Sequence, residues 1–410
     1  MWRATQNHRP MYARLPSLLS SAKRCTPPWL LLLLIVAIGA SLRIPGIWHA
    51  AGSHPDERHM VSVVMDLSWE DLNPRSFAYG SLSYYSAFFS GSFLATIIPS
   101  LDPAGESKLS YDNYFILGRS LAVLFGLLTV VATYQLGRLV YGGAAVPLVA
   151  AALLATNFLH IQLSRFFTSD ILLTLLTTCC LIGIVRIAKE GGLRAYLVTG
   201  LFLGLALATK VSALYLGAPI AVAIGIDWWV RKTSFKKIVL GSAILLAAAA
   251  LLLLCTQPYM VLDFDTFRKH TMEQINMVRG EWRPPYTIQY EGTTPYLYPL
   301  LEMARYTMGW PVFILITVGV VTTIRRLLRA PLQPELLLLV WVGAVFIASA
   351  GLTVKFPRYL LPIYPALFLI AASLAARMLP LWSYASDQPD AQPSKIIGSS
   401  LPAPLTAGEV

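Results

Sequence analysis

Long apolar runs separated by short polar segments dominate the pattern of hydrophobic and polar positions along this chain. Ten of these runs come close to the roughly 20 residues that a helix needs to cross the hydrocarbon core of a bilayer. They lie at 29–48, 115–138, 144–161, 170–188, 195–209, 211–229, 238–256, 309–325, 334–352 and 358–378. The pattern predicts an all-α fold, a polytopic membrane helical bundle of about ten transmembrane helices.

The first long polar segment, 49–114, carries two further helical patterns. Met60 and Val63 recur at helical spacing opposite acidic positions, which predicts an amphipathic helix over 57–69 at the membrane surface. The stretch 80–99 is apolar enough to resemble a span, but it contains five serines. A crossing there would invert every later helix, so we expect a juxtamembrane or re-entrant helix instead.

The second long segment, 257–308, predicts another helix lying on the membrane because four apolar side chains share one helical face. These side chains are Phe264, Phe267, Ile275 and Val278. Residues 1–382 are interpreted as a single transmembrane domain, and the Pro-, Ser- and Ala-rich tail 383–410 as disordered. No internal repeat is evident, which disfavours a transporter assembled from repeated halves.

Composition and charge predict the orientation. Hydrophobic residues make up 56% of the chain and charged residues 13%, with a mean hydropathy of +0.61, which excludes a soluble domain. Much of the net charge of +11 sits in short loops, so it sets orientation and does not indicate nucleic-acid binding. The basic segments 186–194, 231–237, 325–329 and Arg377 should be cytoplasmic together with the N-terminus, which leaves both long segments outside. The N-terminal pattern also fits a signal peptide cleaved near Ala40, although the apolar run continues past it.

Ionisable and aromatic residues then collect at the outer ends of the helices. Ionisable groups at membrane depth are costly and usually face a cavity or a partner. Each residue alone also fits a structural role, since an interfacial lysine often snorkels to water and a tyrosine often belongs to an aromatic belt. Because all of these residues converge on the outer side of the membrane, the sequence favours a functional site there. The set consists of Asp56, Glu57, Arg165, Asp170, Lys210, Arg279, Lys355, Arg358 and Tyr359.

The chemistry of this set combines acids with cations. Carboxylates can take a proton from a hydroxyl or amine, or stabilise an oxocarbenium-like transition state. Lysine and arginine can hold a phosphate, and arginine does so with a forked donor geometry. Because the chain has no glycine-rich phosphate loop, the pattern favours a lipid-borne phosphate over a soluble nucleotide. The four cysteines show no metal-binding spacing.

Five short motifs, in this order and spacing, resemble one known family. They are HPDE at 54–57, YGSLSYY at 79–85, SRFFTSD at 164–170, GLALATK at 204–210 and KFPRYLLP at 355–362. Together they resemble the polyprenyl-phosphate-sugar-dependent glycosyltransferases with the C-type membrane fold. The protein O-mannosyltransferases and the lipid A aminoarabinose transferase belong to that group.

The resemblance implies an integral-membrane enzyme that moves a sugar from a polyprenyl-phosphate carrier to an acceptor on the outer face, with inversion by single displacement. It implies that Asp56 is the catalytic base, that Glu57 is its neighbour in the site, and that Asp170 is a second acid. Its implied donor-phosphate site contains Lys210, Arg279 and Tyr359, and the cations Arg358 and Lys355 are further candidates for binding that phosphate.

One departure concerns Ala78 and Tyr79, which stand where the aminoarabinose transferase has a Glu-Lys pair. A donor-phosphate lysine and an associated metal ligand are therefore missing. The departure counts against aminoarabinose transfer to lipid A and leaves the use of a divalent metal open. The sugar and the acceptor, whether a protein, a lipid or a glycan, also stay open.

Two other classes of protein fit the same residues. A lipid or solute transporter or flippase would use the charges along a pathway near the middle of the membrane. A non-catalytic assembly protein would leave them scattered. An enzyme predicts that Asp56, Asp170 and Lys210 meet at one outward cavity.

Overall fold

The computed structural model describes residues 27–48, 54–102 and 104–378, and these residues form sixteen α-helices and no β-strand. The predicted all-α class is confirmed. The predicted disordered tail, 383–410, lies outside the described residues. The assignment of residues 1–382 to a single domain stays a prediction.

The sixteen helices follow one another along the described chain in this order. The first eight are α1 Pro28–Arg43, α2 Pro55–Asp66, α3 Ser81–Ile97, α4 Tyr111–Tyr141, α5 Ala145–Ala155, α6 Phe158–Leu163, α7 Ser169–Lys189 and α8 Leu193–Leu207. The second eight are α9 Gly217–Gly225, α10 Phe235–Thr256, α11 Tyr259–Leu262, α12 Phe264–Arg279, α13 Leu297–Glu302, α14 Trp310–Arg329, α15 Glu335–Ala350 and α16 Tyr364–Met378. Tighter 3-10 segments, Val211–Leu216 and Pro357–Ile363, lead into α9 and α16.

Each of the ten predicted runs corresponds to helical structure. Six segments of the described chain are long and apolar enough to cross a membrane: Tyr111–Tyr141, Ser169–Lys189, Val211–Val230, Phe235–Thr256, Trp310–Arg329 and Pro357–Met378. The shorter apolar helices α1, α5, α8 and α15 account for the other four runs. The run 144–161 is broken at Asn157, whose side-chain oxygen accepts the backbone N–H of His160 at 3.0 Å and caps α6. The chain is a polytopic membrane protein.

Polar contacts gather at the two opposite ends of α7. The basic end carries the α7–α8 turn and the start of α10. There the hydroxyls of Tyr196 and Thr233 donate to the buried carboxylate of Asp227 at 2.8 and 2.7 Å, and Arg231 Nε donates at 3.1 Å. The opposite end, here called the site end, carries the start of α7 and the end of α8.

At the site end, α2 and α3 pack together in a small second core. The helix predicted over 57–69 is present as α2. Met60 and Val64 are fully buried in a cluster with Tyr84 and Phe88 of α3. The apolar face of α2 therefore packs on α3, and the position of α2 at the membrane surface stays a prediction. The prediction that α3 does not cross the membrane is not tested by this packing and stays a prediction.

The start of α3 is attached to the end of α8 through the backbone. The N–H of Gly80 donates to the carbonyl of Thr209 at 3.0 Å, and the N–H of Leu82 donates to that of Ala208 at 3.1 Å. A Cβ on Gly80 would lie 2.0 Å from the Ala208 carbonyl oxygen, so only glycine permits this approach. The contact fixes the residue before Gly80 against the turn that carries Lys210.

The helix predicted in the second long segment is confirmed as α12, and it lies across the site end. Near its start, the Asn73 side-chain amide donates to Asp263 at 2.9 Å. Near its end, the N–H of Thr353 donates to the carbonyl of Val278 at 3.0 Å, and Gly280 terminates the helix at φ +79°. Both ends of α12 are therefore anchored to other segments of the site end.

Candidate active site

A cavity of about 270 Å³ lies at the site end, between the start of α7, the end of α8 and α12. Most of its lining is apolar, and three of the lining side chains are charged: Asp170, Lys210 and Arg358. Such a cavity is typical of a site for a ligand with an apolar body and a polar head.

Asp170 occupies the first turn of α7, where the helix dipole favours a negative charge. Its side chain is almost wholly buried, and its Oδ1 accepts a hydrogen bond from Lys210 Nζ at 2.9 Å. Lys210 Nζ also lies 4.8 Å from the centre of the Tyr359 ring, a cation–π distance. Asp170 Oδ2 has no hydrogen bond among the described residues.

Arg358 joins the two predicted acids. Its Nη1 donates to Asp56 Oδ2, and its Nε lies 3.8 Å from Asp170 Oδ2. The guanidinium packs over the ring of Phe356 at 4.6 Å, which holds it in this position. Asp56 lies in the first turn of α2, where its backbone N–H donates to the capping side chain of His54 at 3.2 Å. The structure therefore brings Asp56, Asp170 and Arg358 into one charged group.

Glu57, although adjacent to Asp56, belongs to a different environment. Its carboxylate is fully buried and accepts from Arg119 Nε at 2.6 Å and Nη2 at 2.8 Å. It also accepts the backbone N–H of Phe167 at 3.2 Å. Arg119 itself donates to the carbonyl of Ile47 at 3.2 Å. This forked ion pair ties α2 to α4 and to the chain before α7, so the geometry supports a structural role.

Two of the predicted phosphate-binding cations lie apart from the cavity. Lys355 Nζ donates to the Thr293 hydroxyl and to the Thr353 carbonyl, both at 3.0 Å, and burial lowers the pKa of this lysine. Arg279 is exposed at the end of α12 and is not part of the cavity lining. Phosphate binding by these two residues stays a prediction that the geometry does not support.

Tyr79 is absent from the candidates that the sequence predicts, yet it lines the cavity beside Arg358 and Tyr359. Burial raises the pKa of its phenol, the charge of Arg358 lowers that pKa, and the charges of Asp56 and Asp170 raise it. The only signal in the sequence was its place in the motif 79–85. Arg119 had a clearer signal, an arginine within an apolar run.

The sequence left open whether the protein binds a divalent metal, so the described residues were compared with the ligand groups that metals use. Among the described residues, no group of three or more His, Cys, Asp or Glu side chains is placed to hold a metal ion. The cations present at the cavity are the side chains of Lys210 and Arg358.

Residues 112–260 match the family model described as dolichyl-phosphate-mannose-protein mannosyltransferase. No curated protein sequence matches the chain. The resemblance that the five motifs indicated is thus confirmed at the level of fold.

Three solved structures resemble the chain over most of its length. The apo oligosaccharyltransferase of Archaeoglobus fulgidus is 15% identical with a TM-score of 0.63, covering 90% of this chain and 53% of that one. AglB from the same organism, in complex with an inhibitory peptide and a dolichol-phosphate, is 15% identical at 0.60, covering 88% and 51%. ArnT from Cupriavidus metallidurans, bound to undecaprenyl phosphate, is 17% identical at 0.59, covering 87% and 61%. The chain spans little more than half of these proteins' own length.

Proposed function

We propose that this protein is an integral-membrane glycosyltransferase that moves a sugar from a polyprenyl-phosphate carrier to an acceptor. The observation that carries the proposal is the group formed by Asp56, Arg358 and Asp170 at the wall of a cavity that also contains Lys210. The match over 112–260 supports it, as do the polyprenyl phosphates bound in ArnT and AglB.

In the proposed reaction, Lys210 and Tyr359 hold the carrier phosphate, and Arg358 reaches it from the wall of the cavity. Asp56 takes the proton of the acceptor hydroxyl or amine as that atom bonds to the anomeric carbon. The bond from the anomeric carbon to the phosphate oxygen breaks, and its electron pair leaves with the carrier phosphate. Attack opposite the leaving oxygen inverts the anomeric centre. Asp170 keeps Lys210 in place.

The active site faces the outer side of the membrane in this proposal. Its support is the concentration of Lys and Arg in the loops at the basic end, which the positive-inside rule makes cytoplasmic. Single cysteines at Ser107 and Lys232 are therefore expected to react with an impermeant thiol reagent from opposite sides of the membrane. Labelling of both positions from one side would overturn the orientation.

A transporter or flippase is the alternative class. It would need charged or polar groups along a path through the membrane. The charged residues that line the cavity instead sit at helix ends, Asp170 at the start of α7 and Lys210 just after α8. This placement favours chemistry at a surface over passage through the bundle.

The test of function is transfer itself. Membranes containing the protein are incubated with radiolabelled polyprenyl-phosphate sugars, and the protein, lipid and glycan fractions are counted separately. We expect label in one fraction, and no label above background with the Asp56→Asn variant. The matched control is Asp66→Asn, which changes an exposed acid of the same helix and should transfer normally. Equal labelling by all three proteins would refute the assignment.

A further inference from the structure

Three buried polar atoms that line the cavity have no hydrogen-bond partner in the part of the chain that the structure describes. They are Asp170 Oδ2, Arg358 Nε and Gln257 Oε1. The first two lie 3.8 Å apart and belong to groups of opposite charge, so each partly compensates the other. Gln257, which is 5% exposed, has no such compensation. Because a buried carbonyl oxygen without a donor costs free energy, this oxygen is open to a donor group on a ligand.

The packing of α10 on α8 brings Gln257 to the same end of the bundle as Lys210. Two glycines of α8 approach α10 so closely that a Cβ on them would meet a carbonyl oxygen at 2.3 and 2.4 Å. These pairs are Gly200 with Leu245 and Gly204 with Ala249. Since the pairing advances four residues on both helices, α8 and α10 run parallel. The end of α8 leads into Lys210 and the end of α10 into Gln257, and both side chains line the one cavity.

The polar residues that α10 and α12 contribute to the cavity are uncharged. Thr271 and Gln274 of α12 line it together with Gln257, and they lie one turn apart on the same face of that helix. Amide and hydroxyl groups can donate and accept hydrogen bonds without adding a net charge. These three side chains therefore suit a part of the ligand that carries hydroxyl groups and no charge.

A polyprenyl-phosphate sugar has three chemical parts, and only one of them can satisfy the oxygen of Gln257. The polyprenyl chain makes no hydrogen bonds, and an ionised phosphodiester accepts them but has no proton to donate. The hydroxyl groups of a sugar do both. Because the sugar is bonded directly to the phosphate, a phosphate held by Lys210 places the sugar ring in the cavity that Gln257 also lines.

We propose that Gln257 binds a hydroxyl group of the donor sugar, and that Thr271 and Gln274 complete a binding site for further hydroxyls. The inference rests on the proposed function and specifies its substrate class. The part of the sugar that lies at these residues carries hydroxyl groups and no charged substituent, because none of the three side chains could neutralise a charge. Lys210 recognises the phosphate of the donor, and Gln257 recognises what the phosphate carries.

The test compares two affinities, measured by titration of the full chain in lipid nanodiscs. One ligand is the bare polyprenyl phosphate, and the other is polyprenyl-phosphate mannose or polyprenyl-phosphate glucose. Gln257→Met keeps the approximate size of the side chain and removes its amide. It should lower the affinity for the sugar-bearing carrier about tenfold, which corresponds to about 1.4 kcal/mol, and leave that for the bare carrier within about twofold.

Two variants serve as controls. Gln289→Met makes the same change at an exposed position outside the cavity lining and should alter neither affinity. Gln257→Glu keeps an acceptor oxygen, so the ratio of the two affinities should stay near that of the unmodified protein even where the added charge lowers both. Gln257→Leu replaces the methionine variant if that protein does not fold, with the same expected result.

Two results would overturn the inference while leaving the proposed function intact. An equal fall of both affinities in Gln257→Met would mark a contact with the phosphate or a purely structural role. Unchanged affinities for both ligands would show that the amide touches no part of the donor. Binding of neither carrier by the unmodified protein would instead refute the proposed function.

Discussion

Asp170 and Asp227 are equally buried, each with 1% of its surface exposed, but they lie at opposite ends of the bundle and use their oxygens differently. Asp227 Oδ1 accepts from Thr233 and Arg231, and its Oδ2 accepts from Tyr196. Asp170 accepts from Lys210 on one oxygen, and its other oxygen, 3.8 Å from Arg358 Nε, has no hydrogen bond among the described residues. A buried carboxylate with both oxygens satisfied stabilises the fold, whereas one left open beside a cavity is available to a ligand.

The same contrast separates two residues that are adjacent in the chain. Glu57 is enclosed by Arg119 and the backbone, while Asp56 keeps about a fifth of its side chain exposed and binds Arg358 at the cavity wall. Burial and hydrogen bonding, more than residue type, therefore distinguish the structural acids from the acids of the proposed site.

The largest expected effect is on stability. Asp227→Ala leaves the buried hydroxyl of Tyr196 and part of Arg231 without a partner, so it should lower the free energy of unfolding by about 3–5 kcal/mol. Thermal unfolding in detergent measures this, with the exposed Asp265→Ala as control. The molecules that remain folded should transfer sugar at the normal rate. A stable but inactive Asp227→Ala protein would contradict the contrast with Asp170.

The second-largest effect is expected on the rate of sugar transfer. Asp56→Asn keeps the shape of the side chain but cannot accept a proton, so the transfer rate should fall by about 100-fold or more. The amount of folded protein and its unfolding temperature should stay close to normal. The rate constant at saturating donor is the measurement. Near-normal transfer by a folded Asp56→Asn protein would shift the role of base to Asp170.

A smaller effect is expected on the affinity for the lipid-phosphate carrier. In the proposed site, Lys210→Ala removes a charge-assisted hydrogen bond to the carrier phosphate, worth about 1.5–3 kcal/mol, so the apparent affinity for the carrier should fall more than tenfold. The apparent affinity for the acceptor should change less. Titration with the carrier phosphate alone measures the first quantity. An unchanged carrier affinity would exclude Lys210 from the donor site.

The smallest effect is expected for the other predicted lysine. Lys355 is bound to Thr293 and Thr353 and lies away from the cavity, so Lys355→Ala should change carrier affinity by less than about threefold. The same titration compares it directly with Lys210→Ala. A loss as large as that of Lys210→Ala would restore Lys355 to the donor site.

The fold was largely predictable because a membrane helix must satisfy its own backbone, and this requirement gives each span a length that can be read from the sequence. The break at Asn157 was not predictable, since it depends on one side chain capping α6. The burial of the apolar face of α2 was missed for a related reason. That face has the same spacing whether it meets lipid or α3.

Part of the site could also be predicted. Asp56, Asp170 and Lys210 belong to one charged group, joined through Arg358, because isolated charges in an apolar chain must find partners or a cavity. The specific pairings could not be read, because Arg358 lies 302 residues from Asp56 and Arg119 lies 62 residues from Glu57. Only the packed helices decide which cation reaches which acid.

Arg358 lies between Asp56 and Asp170, and this position has a consequence for turnover in the proposed reaction. Asp56, Asp170, Lys210 and Arg358 carry charges that sum to zero, and a bound phosphodiester adds one negative charge. During transfer the carrier phosphate gains up to one further negative charge, as a phosphate monoester does, while Asp56 gains a proton and becomes neutral. In the proposed reaction, Arg358 thus loses one anionic partner as the other grows, and the spent carrier should be held until Asp56 returns its proton to water. Release of the carrier is then linked to proton release, which a solvent deuterium isotope effect on the release rate would detect.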